Sequence, residues 1–238
     1  MKTELVNSYD ELSRKAKGFV FQEIEKKRNL LLCAATGSSP TGLYQNLAKE
    51  FQNKPEIFSD LRVLKLDEWG GIPLNDPESC ETYLQKYLVQ PLQISDKRYF
   101  GFDSNPKDAK MECNRIQQKL KKEGPIDVCI LGIGSNGHLA LNEPNHVLQT
   151  GCHVARLSDK SLQHSMIREK QTKPTYGLTL GMADIFQSKK ILLLIDGAQK
   201  REIVQPFLSK KVTTELPASL LWLHPNVLCL INNETIKL

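Results

Sequence analysis

Residues 126–144, IDVCILGIGSNGHLALNEP, constrain this chain more than any other stretch. The run from Val128 to Ile133 is apolar, rich in β-branched residues and too short for a free-standing helix. That is how a strand buried on both faces of a parallel sheet reads. The run stops in Gly132, Gly134, Asn136 and Gly137, residues that accept backbone conformations others avoid. His138 follows at once, and Glu143 lies five residues on. Open α/β sheets bind ligands at the carboxyl ends of their strands, so two titratable side chains stand where chemistry is expected.

Other short apolar runs repeat the pattern. Residues 30–35 (LLLCAA), 61–66 (LRVLKL), 191–195 (ILLLI) and 227–231 (VLCLI) read as buried strands, with shorter ones at 99–102 and 152–157. Helical stripes lie between them. Leu12, Ala16, Phe19 and Ile24 follow the capping pattern Ser8-Tyr9-Asp10-Glu11, a helix runs from Asp76-Pro77 to Val89, and Ala109, Cys113, Ile116 and Leu120 precede Gly124. Residues 177–186 read as a helix with a glycine-loosened start, and 218–223 as a short helix. Residues 158–175 are polar and weakly periodic, and read as a mobile flap with a short helix. No linker or internal repeat interrupts the alternation, so one domain over 1–238 is expected. Its predicted fold is α/β: a three-layer α/β/α arrangement around a mostly parallel, Rossmann-like sheet of about seven strands.

Three further strand ends carry candidate groups. After residues 30–35 comes Thr36-Gly37-Ser38-Ser39-Pro40, with Pro40 suited to a first helical position and Ser39 to the N-cap. A strand, a Gly/Ser turn and a helix start together gather free N–H groups, hydroxyls and the positive end of a helix dipole, which suits phosphate. Residues 61–66 deliver Asp67-Glu68, two acids that either cap a turn or do chemistry. Lys200, after the turn Asp196-Gly197-Ala198-Gln199, lies at the same sheet edge as His138.

Composition excludes several classes. At 40% hydrophobic and 25% charged residues the chain is an ordinary globular one, and no apolar run approaches the roughly 20 residues that span a bilayer. The N-terminus MKTELVNSYDELSRK has no apolar signal core, and the six cysteines include no C-x-x-C pair. A cytoplasmic location follows as an expectation. The formal charge of +5 is scattered in small lysine clusters without interleaved aromatics, so a nucleic-acid partner is not expected; an anionic small substrate fits as well. Gly132-x-Gly134-x-x-Gly137 matches a dinucleotide fingerprint, but Asn142-Glu143-Pro144 interrupts the helix that such a site requires. The histidines at 138, 146, 153, 164 and 224 form no i, i+4 pair, and there is no G-x-S-x-G elbow. Neither a cofactor nor a metal is expected.

LDEW at 66–69, ESCETYL at 78–84, GIGSNGHLALNEP at 132–144, LLLIDGAQK at 192–200 and LPASLLWLHPN at 216–226 occur in one order. Together they resemble the aminosugar-phosphate isomerase/deaminase family, the relatives of glucosamine-6-phosphate deaminase. LDEW, CETYL and PASLLWLH look closer to its galactosamine-6-phosphate branch. The resemblance implies a phosphorylated amino sugar as the partner, isomerised from aldose to ketose with loss of ammonia. It implies Asp67 as the base between C2 and C1, His138 as the ring-opening group, Glu143 as its carboxylate partner, and Gly37, Ser38, Ser39 and Lys200 at the phosphate. Asn136 stands where several members carry Asp. The family's arginine in the flap has no clean match, since the ungapped position is Met166; Arg168 is the nearest candidate, with His164 also close. The chain also lacks the longer C-terminal tail of some hexameric members, which leaves the oligomeric state open, a homo-oligomer included. 6-Phosphogluconolactonase shares the G-x-G-x-D-G-H turn but lacks the N-E-P and L-D-E-W features. A non-catalytic sugar-phosphate sensor domain is the other alternative.

Overall fold

A computed structural model describes residues 1–73, 75–162 and 173–236. In chain order the strands and helices are β1 (Lys2–Val6), α1 (Tyr9–Lys26), β2 (Leu31–Ala34), α2 (Ser38–Asn53), β3 (Arg62–Lys65), β4 (Asp67–Gly70) and α3 (Cys80–Leu84). α3 continues as a π-helical turn, Gln85–Val89. Then come β5 (Tyr99–Phe100), α4 (Ala109–Glu123), β6 (Val128–Gly132), β7 (His153–Ala155) and α5 (Asp159–Leu162). The chain ends with β8 (Tyr176–Thr179), α6 (Met182–Phe186), β9 (Lys190–Ile195), α7 (Arg201–Leu208), a 3-10 segment Pro217–Leu223, β10 (Val227–Asn232) and α8 (Asn233–Ile236).

Seven strands form one sheet in the order β1-β10-β9-β6-β2-β3-β5, and every pairing in it is parallel. Side chains alternate across it, so each strand feeds two cores. Leu30, Leu32 and Ala34 face α1, α2 and α3 through Leu12, Val20, Leu43, Leu47 and Leu84. Leu31, Cys33 and Ala35 share the opposite core with Ile116 of α4, Ile185 of α6, Phe207 of α7 and Leu221. Two-sided burial is why these strands read as unbroken apolar runs.

The order of the strands fixes where a ligand belongs. From β2 the chain moves outward through β3 to β5, then returns to the other side of β2 with β6 and moves outward again to β9 and β10. The switch point is the gap between the carboxyl ends of β2 and β6.

Three readings of the sequence need correction. β1 is a strand that the apolar criterion misses, because an edge strand buries only one end of its run: Lys2, Thr3 and Leu5 are exposed. Residues 177–186 are not one helix. Tyr176–Thr179 is a strand, and the helix begins only at Met182. That strand pairs antiparallel with both β4 and β7 in a second sheet of three strands, where Asp67 stands opposite Thr179. Asp76-Pro77 also does not open α3. Ser79 is the N-cap, its Oγ accepting from Thr82 N at 3.0 Å. Of the expected flap, only 158–162 and 173–175 fall within the described residues, and no described helix is long and apolar enough to cross a membrane.

Candidate active site

The turn after β2 is built on Gly37, whose φ of 102° is a left-handed conformation that glycine adopts without strain. It lets the helix start at Ser38, so Gly37 and not Ser39 is the N-cap, and Pro40 sits third in the helix. Proline is tolerated there because first-turn N–H groups lack intrahelical partners anyway. Side chains clamp the turn from behind. Tyr83 OH and Thr41 Oγ1 donate to Gly37 O at 2.8 and 2.9 Å, and Tyr9 OH donates to Ser38 O at 2.6 Å.

Asp67 begins β4, where the chain leaves the main sheet for the smaller one. Its side chain is buried, and among the described residues no donor reaches its carboxylate. Burial first, and then the neighbouring charge of Glu68, push its pKa up to about 7, against the opposing pull of Lys65. Glu68 points elsewhere. It accepts from Trp69 N and Cys80 N through Oε1, and from Glu81 N and Lys65 Nζ through Oε2, at 2.7 to 2.9 Å. Lys65 also reaches Glu81 at 2.7 Å. Of the two acids, one caps α3 and the other is left for the cavity.

His138 follows the glycine turn. Its ring lies so close to Gly134 that a Cβ there would fall 2.3 Å from the imidazole, and this close approach is why residue 134 has no side chain. Nδ1 is 3.5 Å from Glu143 Oε2. Asn136 Nδ2 donates to the same oxygen at 2.7 Å, while Asn136 Oδ1 accepts from His138 N at 3.2 Å. An amide can donate where a second carboxylate would repel. Burial would raise the Glu143 pKa, but His138, Ser161 and Asn136 overcome it and bring it down to about 2. Ala140 completes the loop with φ of 53°, an uncommon value for a residue with a Cβ, and lines the cavity.

Lys200 ends a 3-10 turn after β9, behind Gly197 with φ of 105°. Its Nζ donates to Ile133 O. Withdrawal from water, only partly countered by Asp196, lowers its pKa to about 8.

Gly37, Ser38, Ser39, Asp67, His138 and Lys200 line one cavity of about 460 Å³ at the switch point. Asn136 and Glu143 stand behind His138 rather than in the cavity wall. Arg168, like His164 and Met166, lies outside the described residues. Sequence reasoning missed Ser158 and Ser161. Ser158 Oγ donates to Glu143 Oε2 at 3.1 Å, and Ser161 Oγ donates to Glu143 Oε1. The available signal was two hydroxyls three apart just after a strand. Among the described residues no group of three or more His, Cys, Asp or Glu is placed to hold a metal.

A parallel sheet whose switch point joins a helix-start turn, a lysine, a buried carboxylate and a carboxylate-backed imidazole defines a class: α/β proteins whose cavity is suited to an anionic ligand beside acid/base groups. Residues 7–229 match the family described as glucosamine-6-phosphate isomerases/6-phosphogluconolactonase, and the chain belongs to that family. It is 40% identical over 227 residues to the "Putative deaminase AgaI" of Escherichia coli K12, covering 95% of this chain and 90% of that one. It is 32% identical over 240 residues to glucosamine-6-phosphate deaminase of Thermoanaerobacter pseudethanolicus, covering 100% and 95%. A solved structure of a monomeric glucosamine-6-phosphate deaminase superposes with a TM-score of 0.94 at 34% identity, over 99% of this chain and 98% of that one. The chain is accordingly an enzyme of the isomerase/deaminase kind.

Proposed function

We propose that this enzyme converts galactosamine 6-phosphate to the ketose 6-phosphate and ammonia. The observation that carries the reading is the order β6-β2-β3: the Gly37–Ser39 turn after β2 lies between Asp67 on one side and His138 on the other. A phosphate on the central turn and Lys200 leaves the reacting end of the sugar between a base and an imidazole. His138 takes the C1 hydroxyl proton and protonates the ring oxygen, with Glu143 stabilising the imidazolium. Asp67 then removes the C2 proton and returns it at C1, while the aldehyde oxygen takes up a proton given up by the C2 amino group. This leaves an imine at C2, whose hydrolysis gives the ketose and ammonia. A carboxylate with a pKa near the working pH suits a transfer in both directions. Phosphate binding supplies remote energy that orients the reacting carbons.

The galacto preference rests on LDEW, CETYL and PASLLWLH. The test is ammonia release from galactosamine 6-phosphate and from glucosamine 6-phosphate at equal low concentration, with lactone hydrolysis run beside them. A larger kcat/KM on the galacto sugar is expected. A glucosamine preference of about tenfold or more, worth 1.4 kcal/mol, overturns the preference. Lactone hydrolysis without ammonia release, or no turnover at all, overturns the reaction.

A further inference from the structure

Nδ1 of the His138 ring faces Glu143 and Ser161, and no described residue bonds Nε2. Ser161, on α5, is buried in the cavity wall. Its Oγ donates to Glu143 Oε1 and lies 3.4 Å from His138 Nδ1. Ser158 Oγ holds the other carboxylate oxygen and accepts Ser161 N–H at 3.2 Å, so two hydroxyls of one short turn close around Glu143. The two contacts to Nδ1, 3.5 Å from Glu143 Oε2 and 3.4 Å from Ser161 Oγ, are both long for a hydrogen bond, so neither acceptor alone holds the ring tightly and the two act together.

A serine hydroxyl has one proton and two lone pairs. With the proton committed to Glu143, only lone pairs remain toward Nδ1. Both groups facing Nδ1 are then acceptors, and the neutral imidazole must carry its proton on that nitrogen. Nε2 keeps its lone pair on the ring edge that crosses Gly134 of the cavity wall, and no described residue bonds it. We propose that Ser161 is a positioning residue for His138: by bridging Nδ1 and Glu143 it fixes the tautomer and aims Nε2 at the substrate. The inference rests on the reading of His138 as the ring-opening group.

Long-range ¹H–¹⁵N spectra of the histidine-labelled protein identify the tautomer directly, without substrate. The native enzyme is expected to show the Nδ1–H form. Ser161→Ala should show the Nε2–H form beside it and lose about tenfold to a hundredfold in kcat, the scale seen for outer partners of ligating imidazoles. KM should stay within about twofold, because no phosphate contact is touched. Ser161→Thr, which keeps the hydroxyl, should restore both tautomer and rate. An Nε2–H form in the native enzyme overturns the proposal even if Ser161→Ala does not fold. So does Ser161→Ala with native tautomer and kcat, or a loss confined to KM. Absence of ammonia release from either sugar would fail the proposed reaction instead, and the spectra would still decide the role of Ser161.

Discussion

Asp67 and Glu68 are adjacent in β4 and their carboxylates face opposite ways: Asp67 lines the cavity without a hydrogen-bond donor among the described residues, while four donors surround Glu68. Alternation along a strand separates the two acids. The consequence is chemical. One carboxylate is fully satisfied and anchors α3 to β4; the other is buried, meets no hydrogen-bond donor among the described residues, and is raised to a pKa of about 7. A buried carboxylate lacking partners is costly to the fold and useful to a base.

Asp67→Asn separates these two effects. It should abolish exchange of the C2 hydrogen with solvent deuterium and lower kcat by about 10² to 10⁴, the usual worth of a general base. Binding of the phosphorylated sugar should survive. The fold should gain. Because the folded pKa is raised, the group's contribution to stability is present below its unfolded value of about 3.9 and is lost as pH rises through about 7. The amide does not titrate, so Asp67→Asn should raise Tm more at pH 8 than at pH 5. NMR exchange and two melts check it; native C2 exchange removes Asp67 as the base.

The pH profile of kcat/KM in the native enzyme should be a narrow bell. Asp67 must be ionised to act, so the rate climbs through about pH 7. Lys200 must be charged to attract phosphate, and its pKa of about 8 in the empty site makes the rate fall above that. A bound phosphate dianion raises the lysine's pKa, so the profile of kcat should lose this alkaline limb while kcat/KM keeps it. A flat alkaline side to pH 10 in kcat/KM removes Lys200 from substrate capture.

Lys200→Ala should act on KM far more than on kcat, because a contact to the remote phosphate is made equally in ground and transition states. Steady-state rates on the phosphorylated sugar decide it. Unchanged KM with lost turnover places Lys200 at the chemistry instead.

The central strands were legible because burial on both faces leaves only apolar residues to see: 30–35, 128–133, 191–195 and 227–231 contain β2, β6, β9 and β10 in substance. β1 and β4 were not, for two reasons. β1 is an edge, and β4 consists of four residues, Asp-Glu-Trp-Gly, chosen for a site and a cap. β8 looked helical because Gly177 opens an apolar stretch too short to show period two. The cavity residues were legible where a turn or an acid ended an apolar run, as at Gly37, Asp67 and His138. Ser161 was not, since its meaning depends on Glu143 folding back to meet it from 18 positions away.

Glu68 should hold the base as well as the fold. Lys65 and Glu68 are 1% and 0% exposed and 2.7 Å apart. Burial presses the Lys65 pKa down, but the charges of Glu68 and Glu81 more than offset it and leave it raised. Glu68→Gln keeps the shape but leaves the lysine with Glu81 alone, and it turns an acceptor into a donor facing Lys65 or the N–H groups of Trp69 and Cys80. Breaking one partner of a buried pair costs about 3–5 kcal/mol, and denaturant melts should show a loss of that order. Removing the charge beside Asp67 also removes one of the two causes that raise its pKa, so the acid limb of kcat/KM should move below pH 7. Glu68→Asp is the control. It retains the charge but is a methylene short of the α3 amides, so it should lose stability while the acid limb stays in place. If the limb of Glu68→Gln does not move, burial alone sets the base, and Glu68 serves only to cap α3.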